Sequence, residues 1–119
     1  MKISILLPYK ENFSPDYAGA VSLNINETLK ISKYKNNTIV FGNTKYKNIF
    51  KLKYKNISLD KNIFQSQNKK YVEEFIKLEN KRNSDLIELH NRPVYLSYLN
   101  QKLQKYLWAK NNIVVMAMV

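Results

Sequence analysis

The sequence predicts an α/β fold, a mostly parallel sheet with helices flanking its faces, and three observations predict it. The chain opens on a short apolar run, Ile3, Ile5, Leu6 and Leu7, that stops at Pro8. Beyond a polar loop, Val21, Ile25, Leu29 and Ser32 recur at the three- and four-residue spacing of a helix face. Further short apolar runs, Thr38–Phe41, Ser84–Leu89 and Ile113–Val119, then alternate with helical patterns. Strands alternating with helices join by right-handed crossovers into the parallel sheet of a Rossmann-like fold.

Each element has its own signal. The first helix follows Ala18-Gly19-Ala20, a patch of small residues, with Asp16 as its expected N-cap. Asn36-Asn37 is a turn, and Thr38–Phe41 is a β-branched and aromatic strand closed by Gly42. From Phe50 to Lys55 apolar and charged residues alternate strictly, which predicts a half-exposed strand at a sheet edge. Asn62 or Ser66 caps the next helix, where Val72, Phe75, Ile76 and Glu79 share a face and Glu73 pairs with Lys77. That helix ends near Arg82-Asn83. Ser84–Leu89 is a strand ending in His90-Asn91-Arg92-Pro93, and Pro93 opens a third helix with Leu96, Leu99, Leu103 and Tyr106 as its buried stripe. Asn111-Asn112 turns into a last buried strand, Ile113–Val119.

A length of 119 residues suits one domain with one core, and 45% hydrophobic residues is a globular rather than a disordered composition. The absence of cysteine excludes disulfides and cysteine-rich zinc sites, and the lone His90 makes no histidine metal cluster. No cofactor is implied. The start carries no signal-peptide pattern, and no stretch reaches the about 18 apolar residues of a membrane span. The expected location is the cytoplasm.

The net charge of +11 invites a nucleic-acid reading, yet only Arg82 and Arg92 among the twenty basic residues are arginine. Arginine supplies the bidentate contacts that nucleic-acid interfaces favour. Lysine here accompanies an excess of Asn, Ile and Tyr, the bias of a coding sequence rich in A and T. One segment stands apart: no acid occurs between Thr28 and Leu59, where Lys30, Lys33, Lys35, Lys45, Lys47, Lys51, Lys53 and Lys55 accumulate. This positive face suits an anionic acceptor, nucleic acid or a membrane surface.

Ligands of open parallel sheets bind beyond the carboxyl ends of the strands. The loops Tyr9–Tyr17 and His90–Arg92 both emerge there. If Ala18-Gly19-Ala20 begins the helix, a phosphate or sugar can approach its backbone amides; otherwise Gly19 only permits close helix–sheet packing. The GxGxxG and GxxxxGK[ST] fingerprints are absent. His90 can hydrogen-bond a substrate hydroxyl, Asn91 donates and accepts, and Arg92 grips a phosphate or carboxylate. The alternative is a histidine that satisfies loop backbone beside a solvated arginine. Glu11, Asp16 and Glu88 are the nearby acids, and no pair of them has glycosidase spacing.

Three segments, ISILLPYKENFSPDYAGAVSLNINETLK, IVFGNT and DLIELHNRP, resemble the N-terminal domain of family-4-type glycosyltransferases over about residues 2 to 104. That resemblance implies residues 1–119 form the N-terminal, acceptor-side half of a two-domain GT-B architecture. It implies a nucleotide-sugar donor and a glycan or lipid-linked acceptor, as in cell-envelope polysaccharide synthesis, with peripheral contact at the inner face of a membrane. It assigns Tyr17, Ala18, Gly19 and Ala20 to the cleft near the donor diphosphate, and His90, Asn91 and Arg92 to the acceptor side; no catalytic residue is assigned. The family's phenylalanine–histidine loop and its donor-binding domain have no counterpart here, so a truncated, weakly active or inactive half is expected, prone to self-association. The alternative is a non-enzymatic basic module that binds nucleic acid or anionic membrane through Lys30–Lys55.

Overall fold

A computed structural model describes residues 1–60, 66–90, 94–95, 97–99 and 113–117. Its elements are β1 (Ile3–Leu6), α1 (Ala20–Leu29), a 3-10 turn (Lys35–Asn37), β2 (Thr38–Gly42), β3 (Tyr54–Asn56), α2 (Gln67–Arg82), β4 (Leu86–His90) and β5 (Ile113–Ala117). Among the described residues five strands form one sheet in the order β3-β2-β1-β4-β5, and every neighbouring pair is parallel. The fold is Rossmann-like α/β.

Side-chain alternation divides the sheet into two packed faces. Leu6, Phe41, Ile87 and Leu89 meet Val72, Phe75 and Ile76 of α2 on one side. Ile5, Leu7 and Val40 meet Val21, Ile25 and Leu29 of α1 on the other. Residues 94–95 and 97–99 are helical, and Tyr95 and Leu99 join the α2 face. Of the stripe expected for the third helix, Leu99 is buried as predicted, and Tyr95, which that stripe does not include, is buried with it. Pro93, Leu96, Leu103 and Tyr106 lie outside the described residues.

α2 matches its sequence signals closely. Ser66 accepts the Lys69 amide as N-cap, and Asn83 closes the helix in the left-handed conformation, φ 56°. Asn62 lies outside the described residues. Tyr71, Val72, Phe75, Ile76 and Glu79 form the buried face. The direct contact of Lys77 is with Glu74, at 2.9 Å on the exposed side, while the expected partner Glu73 acts on it only electrostatically; three residues and four residues are equally reachable on a helix surface. α1 stops at Leu29, short of Ser32, whose hydroxyl instead accepts the Tyr34 amide at 3.1 Å. Such local hydroxyl–backbone bonds compete with continuation of a helix.

Phe50–Lys55 is not a continuous strand: only Tyr54–Asn56 pairs with β2, at the sheet edge. The alternation nevertheless reports packing, because Phe50, Leu52 and Tyr54 lie against the α1-side core. At the amino edge of the sheet, the Glu79 carboxylate accepts from the Ser4 hydroxyl (2.8 Å), from the Ser84 amide (2.9 Å) and from the Ser84 hydroxyl. Arg82 donates to Ser4 Oγ (3.0 Å), to the Ile3 carbonyl (2.9 Å) and to the Asn37 carbonyl (2.8 Å). These two side chains bind the end of α2 to β1, to the entry of β2 and to the entry of β4.

Candidate functional site

The loop after β1 is a fixed structure, built from hydrogen bonds on both sides. Tyr71, fully buried on α2, donates to the Leu7 carbonyl at 2.7 Å. Burial pushes the Tyr71 phenol well above its ordinary pKa, and the neighbouring Tyr95 and Tyr54 phenols add to the effect. Tyr95 accepts the Tyr9 amide at 3.0 Å and donates to Asn68 at 2.6 Å. Phe13 is fully buried, stacked on Tyr54 with ring centroids 5.5 Å apart and edge-on to Phe50 at 5.0 Å. Aromatic contacts of this geometry are worth about 0.5–1.5 kcal/mol beyond their burial.

The same loop is zipped to the one after β2. Phe13 donates its amide to Thr44 Oγ1 (2.9 Å), and the Lys45 amide donates to Asn12 Oδ1 (3.1 Å). Thr44 Oγ1 also shares a 2.7 Å hydrogen bond with the Tyr54 hydroxyl, which donates to Asn56. Burial raises the Tyr54 pKa, and its bonds to Thr44 oppose that shift. Between the two loops, on the carboxyl edge, lies a groove of about 310 Å3 lined by Lys10, Asn12, Asn43 and Lys45. Asn43 and Thr44 close the IVFGNT segment, but the sequence alone assigns neither them nor Lys45 to a site. Their signal is positional: these residues follow a parallel strand directly, so they emerge at the ligand edge like Tyr9–Tyr17.

Gly19 is the N-cap of α1, extended and without a side-chain cap of its own. Asp16 does not cap the helix, because the helix begins four residues after it, at Ala20. Glu11 takes that place instead, accepting the Gly19 amide at 3.0 Å. A β-carbon at Gly19 would collide with the Glu11 carboxyl group. The glycine is therefore needed for close approach, but the group that approaches belongs to the chain. Ala18 is half-buried and Ala20 exposed, while Tyr17 is 69% exposed and stacks with Tyr46 at 6.2 Å.

His90 is the last residue of β4 rather than the first of a loop, and it is 4% exposed. Leu86, Glu88 and His90 alternate with the inward Ile87 and Leu89, so they face the α1 side of the sheet. There they line a groove of about 340 Å3 together with Ile5, Asn24 and Thr28. Neither ring nitrogen of His90 has a hydrogen-bond partner among the described residues, and Nε2 stands 3.5 Å from the Glu88 carboxylate. Among the described residues, His90 thus satisfies no loop backbone. Buried polar atoms without partners are uncommon in proteins and costly. Asn91 and Arg92 lie outside the described residues.

Among the described residues no group of three or more His, Asp or Glu could hold a metal ion, and no helix is long and apolar enough to cross a membrane. The chain matches no family model, no curated protein and no solved structure.

Proposed function

We propose that the chain is the acceptor-side domain of a GT-B glycosyltransferase, acting with a donor-binding domain to move a sugar from a nucleotide-sugar to a glycan or lipid-linked acceptor. The observation that carries this reading is the direct parallel pairing of β1 with β4, Leu6 opposite Leu89. His90, the last residue of β4, therefore lies beside the start of the Pro8–Pro15 loop, and both belong to segments on which the glycosyltransferase resemblance rests. Sugar transfer requires donor and acceptor held in one cleft, where fixed geometry lowers the barrier. The hydrogen-bonded β1 loop supplies such a fixed wall, and His90, whose ring nitrogens have no hydrogen-bond partner among the described residues, stands at its side. Amide NMR titration with UDP-sugars and short glycans tests the reading. Saturable shifts at Gly19 and His90 are expected; shifts confined to residues remote from both would reject it.

The exposed lysines at the β3 edge favour a second reading. Lys47, Lys51 and Lys55 are exposed without a carboxylate partner among the described residues. A basic module would bind RNA or anionic vesicles with affinity falling steeply as salt rises. Salt-independent binding, or none at low ionic strength, removes that reading.

A further inference from the structure

We propose that the groove between the loops after β1 and β2 binds a phosphate ester of a hydroxyl-bearing molecule, held by Lys10, Asn12, Asn43 and Lys45. The groove measures about 310 Å3 and none of its lining residues is acidic. Neither lysine meets a carboxylate among the described residues. Lys10 Nζ lies 5.6 Å from the centroid of the Tyr9 ring, and Lys45 Nζ lies 5.5 Å from that of Tyr46. Two ammonium groups without counter-charges across one cleft raise the local concentration of anions.

The asparagines define what else the ligand carries. Asn12 Oδ1 is committed to the Lys45 amide at 3.1 Å, which leaves its amide NH2 as a donor. Asn43 has the opposite bias: its NH2 donates to the Ile57 carbonyl at 2.7 Å, which leaves its oxygen as an acceptor. Two ammonium groups and one amide donor match a phosphate, while one acceptor matches a hydroxyl close to it.

The site is also preformed. Phe13 to Thr44, Lys45 to Asn12 and Phe50 to Phe13 are loop-to-loop hydrogen bonds of 2.9, 3.1 and 3.3 Å. Lys10 itself adopts φ 67°, a left-handed conformation that is uncommon for a residue with a β-carbon. The Glu11 amide bonds to the Pro8 carbonyl at 3.0 Å next to it. The nearest acid in sequence, Glu11, is committed to Gly19 at 3.0 Å. A wall held in this way loses little conformational freedom when a ligand arrives. The site stands apart from the sugar-transfer reading, since binding is measured with no transfer.

Amide NMR titrations of the full chain test it with three ligands: inorganic phosphate, glucose 1-phosphate, and phosphatidylcholine vesicles containing phosphatidylglycerol. Saturable shifts at Lys10, Asn12, Asn43 and Lys45 are expected, with glucose 1-phosphate about fivefold tighter than inorganic phosphate through one added hydrogen bond. Lys10→Gln/Lys45→Gln should weaken binding about tenfold or more, and Lys47→Gln/Lys51→Gln, with the same loss of charge, by less than about twofold. Binding of glucose 1-phosphate alone marks a soluble ligand, and binding of the vesicles alone marks a lipid headgroup; either supports the site. Equal weakening in the two double variants, or no saturation with any of the three, overturns it. Shift mapping on the unmodified chain decides the matter even if a variant folds poorly.

Discussion

The Glu11 carboxylate lies 3.0 Å from the amide of Gly19 and so fills the amino terminus of α1 with the chain's own negative charge. Helix amino termini carry unpaired N–H groups and a partial positive charge, and a carboxylate there is stabilising by about 0.3–1 kcal/mol. The arrangement resembles the capture of a phosphate by such a terminus, with Glu11 in the ligand's place. The donor-diphosphate role that the family resemblance implies for Tyr17–Ala20 would require Glu11 to move aside.

Replacing Gly19 tests this contact. We predict that Gly19→Ala displaces the Glu11 carboxyl group and lowers stability by about 0.5–2 kcal/mol, the usual worth of a helix cap. Glu11→Ala should cost a similar amount, and the two losses should not add, because both remove one interaction. Urea midpoints of the two single variants and the double variant measure it. Additive losses would show that Gly19 is required for some other reason.

The amino edge of the sheet depends on a different pair of residues. Glu79 is 1% exposed and satisfies Ser4 and Ser84, and Arg82 reaches two backbone carbonyls as well as Ser4. We predict that Glu79→Ala costs about 2–4 kcal/mol, since it leaves buried donors unpaired and opens a cavity. Arg82→Lys keeps the charge but loses the planar fork, and should cost about 1–2 kcal/mol. Chemical denaturation measures both. A smaller loss for Glu79→Ala than for Arg82→Lys would contradict that order.

Burial of Tyr71 sets a limit at alkaline pH. Its pKa in the folded chain lies well above 10.0, mainly through desolvation, whereas the unfolded chain titrates near that ordinary value. The folded state therefore holds the proton more tightly, and its advantage is complete below about pH 10 and lost as pH rises further. Stability should fall above pH 10 by about 1.4 kcal/mol per pH unit for this group until the folded pKa is reached. Tyr71→Phe should flatten that fall while sacrificing the hydrogen bond to Leu7. Denaturation midpoints from pH 8 to about pH 11.5 check it; an unchanged slope in the variant would assign the alkaline loss elsewhere.

Periodicity makes much of the fold legible. The α2 face at Val72, Phe75, Ile76 and Glu79 follows from spacing, and its ends follow from Ser66 and Asn83, whose side chains and backbone preferences act locally. The same signal misleads at Phe50–Lys55, because alternation records which side chains are buried and says nothing about which amides pair. The site is less legible, since its decisive contacts are distant in sequence. Asn12 meets Lys45, Phe13 meets Thr44, and Glu11 meets Gly19 across a turn whose closure no local pattern encodes. The loop after β2 has the composition of a charged connection, although its place after a strand marks it as part of the ligand edge. His90 reads as a loop residue because a polar pair and a proline follow it, yet the strand runs through it.

The placement of His90 bears on stability and function together. His90 occupies a buried strand position with neither ring nitrogen hydrogen-bonded among the described residues, and the carboxylate of Glu88 stands 3.5 Å away. A histidine retained for folding would be expected to use at least one nitrogen. Replacing an unpaired buried polar group by an apolar one of similar size removes a desolvation cost and is neutral or stabilising. We predict that His90→Leu changes stability by between zero and about +1 kcal/mol, while ligand-induced shifts along the groove beside α1 are lost. His90→Gln, which retains a donor and an acceptor, should preserve part of the ligand response. Denaturation midpoints and amide titrations of both variants separate the roles, and a loss above about 1 kcal/mol in His90→Leu would make His90 a structural residue.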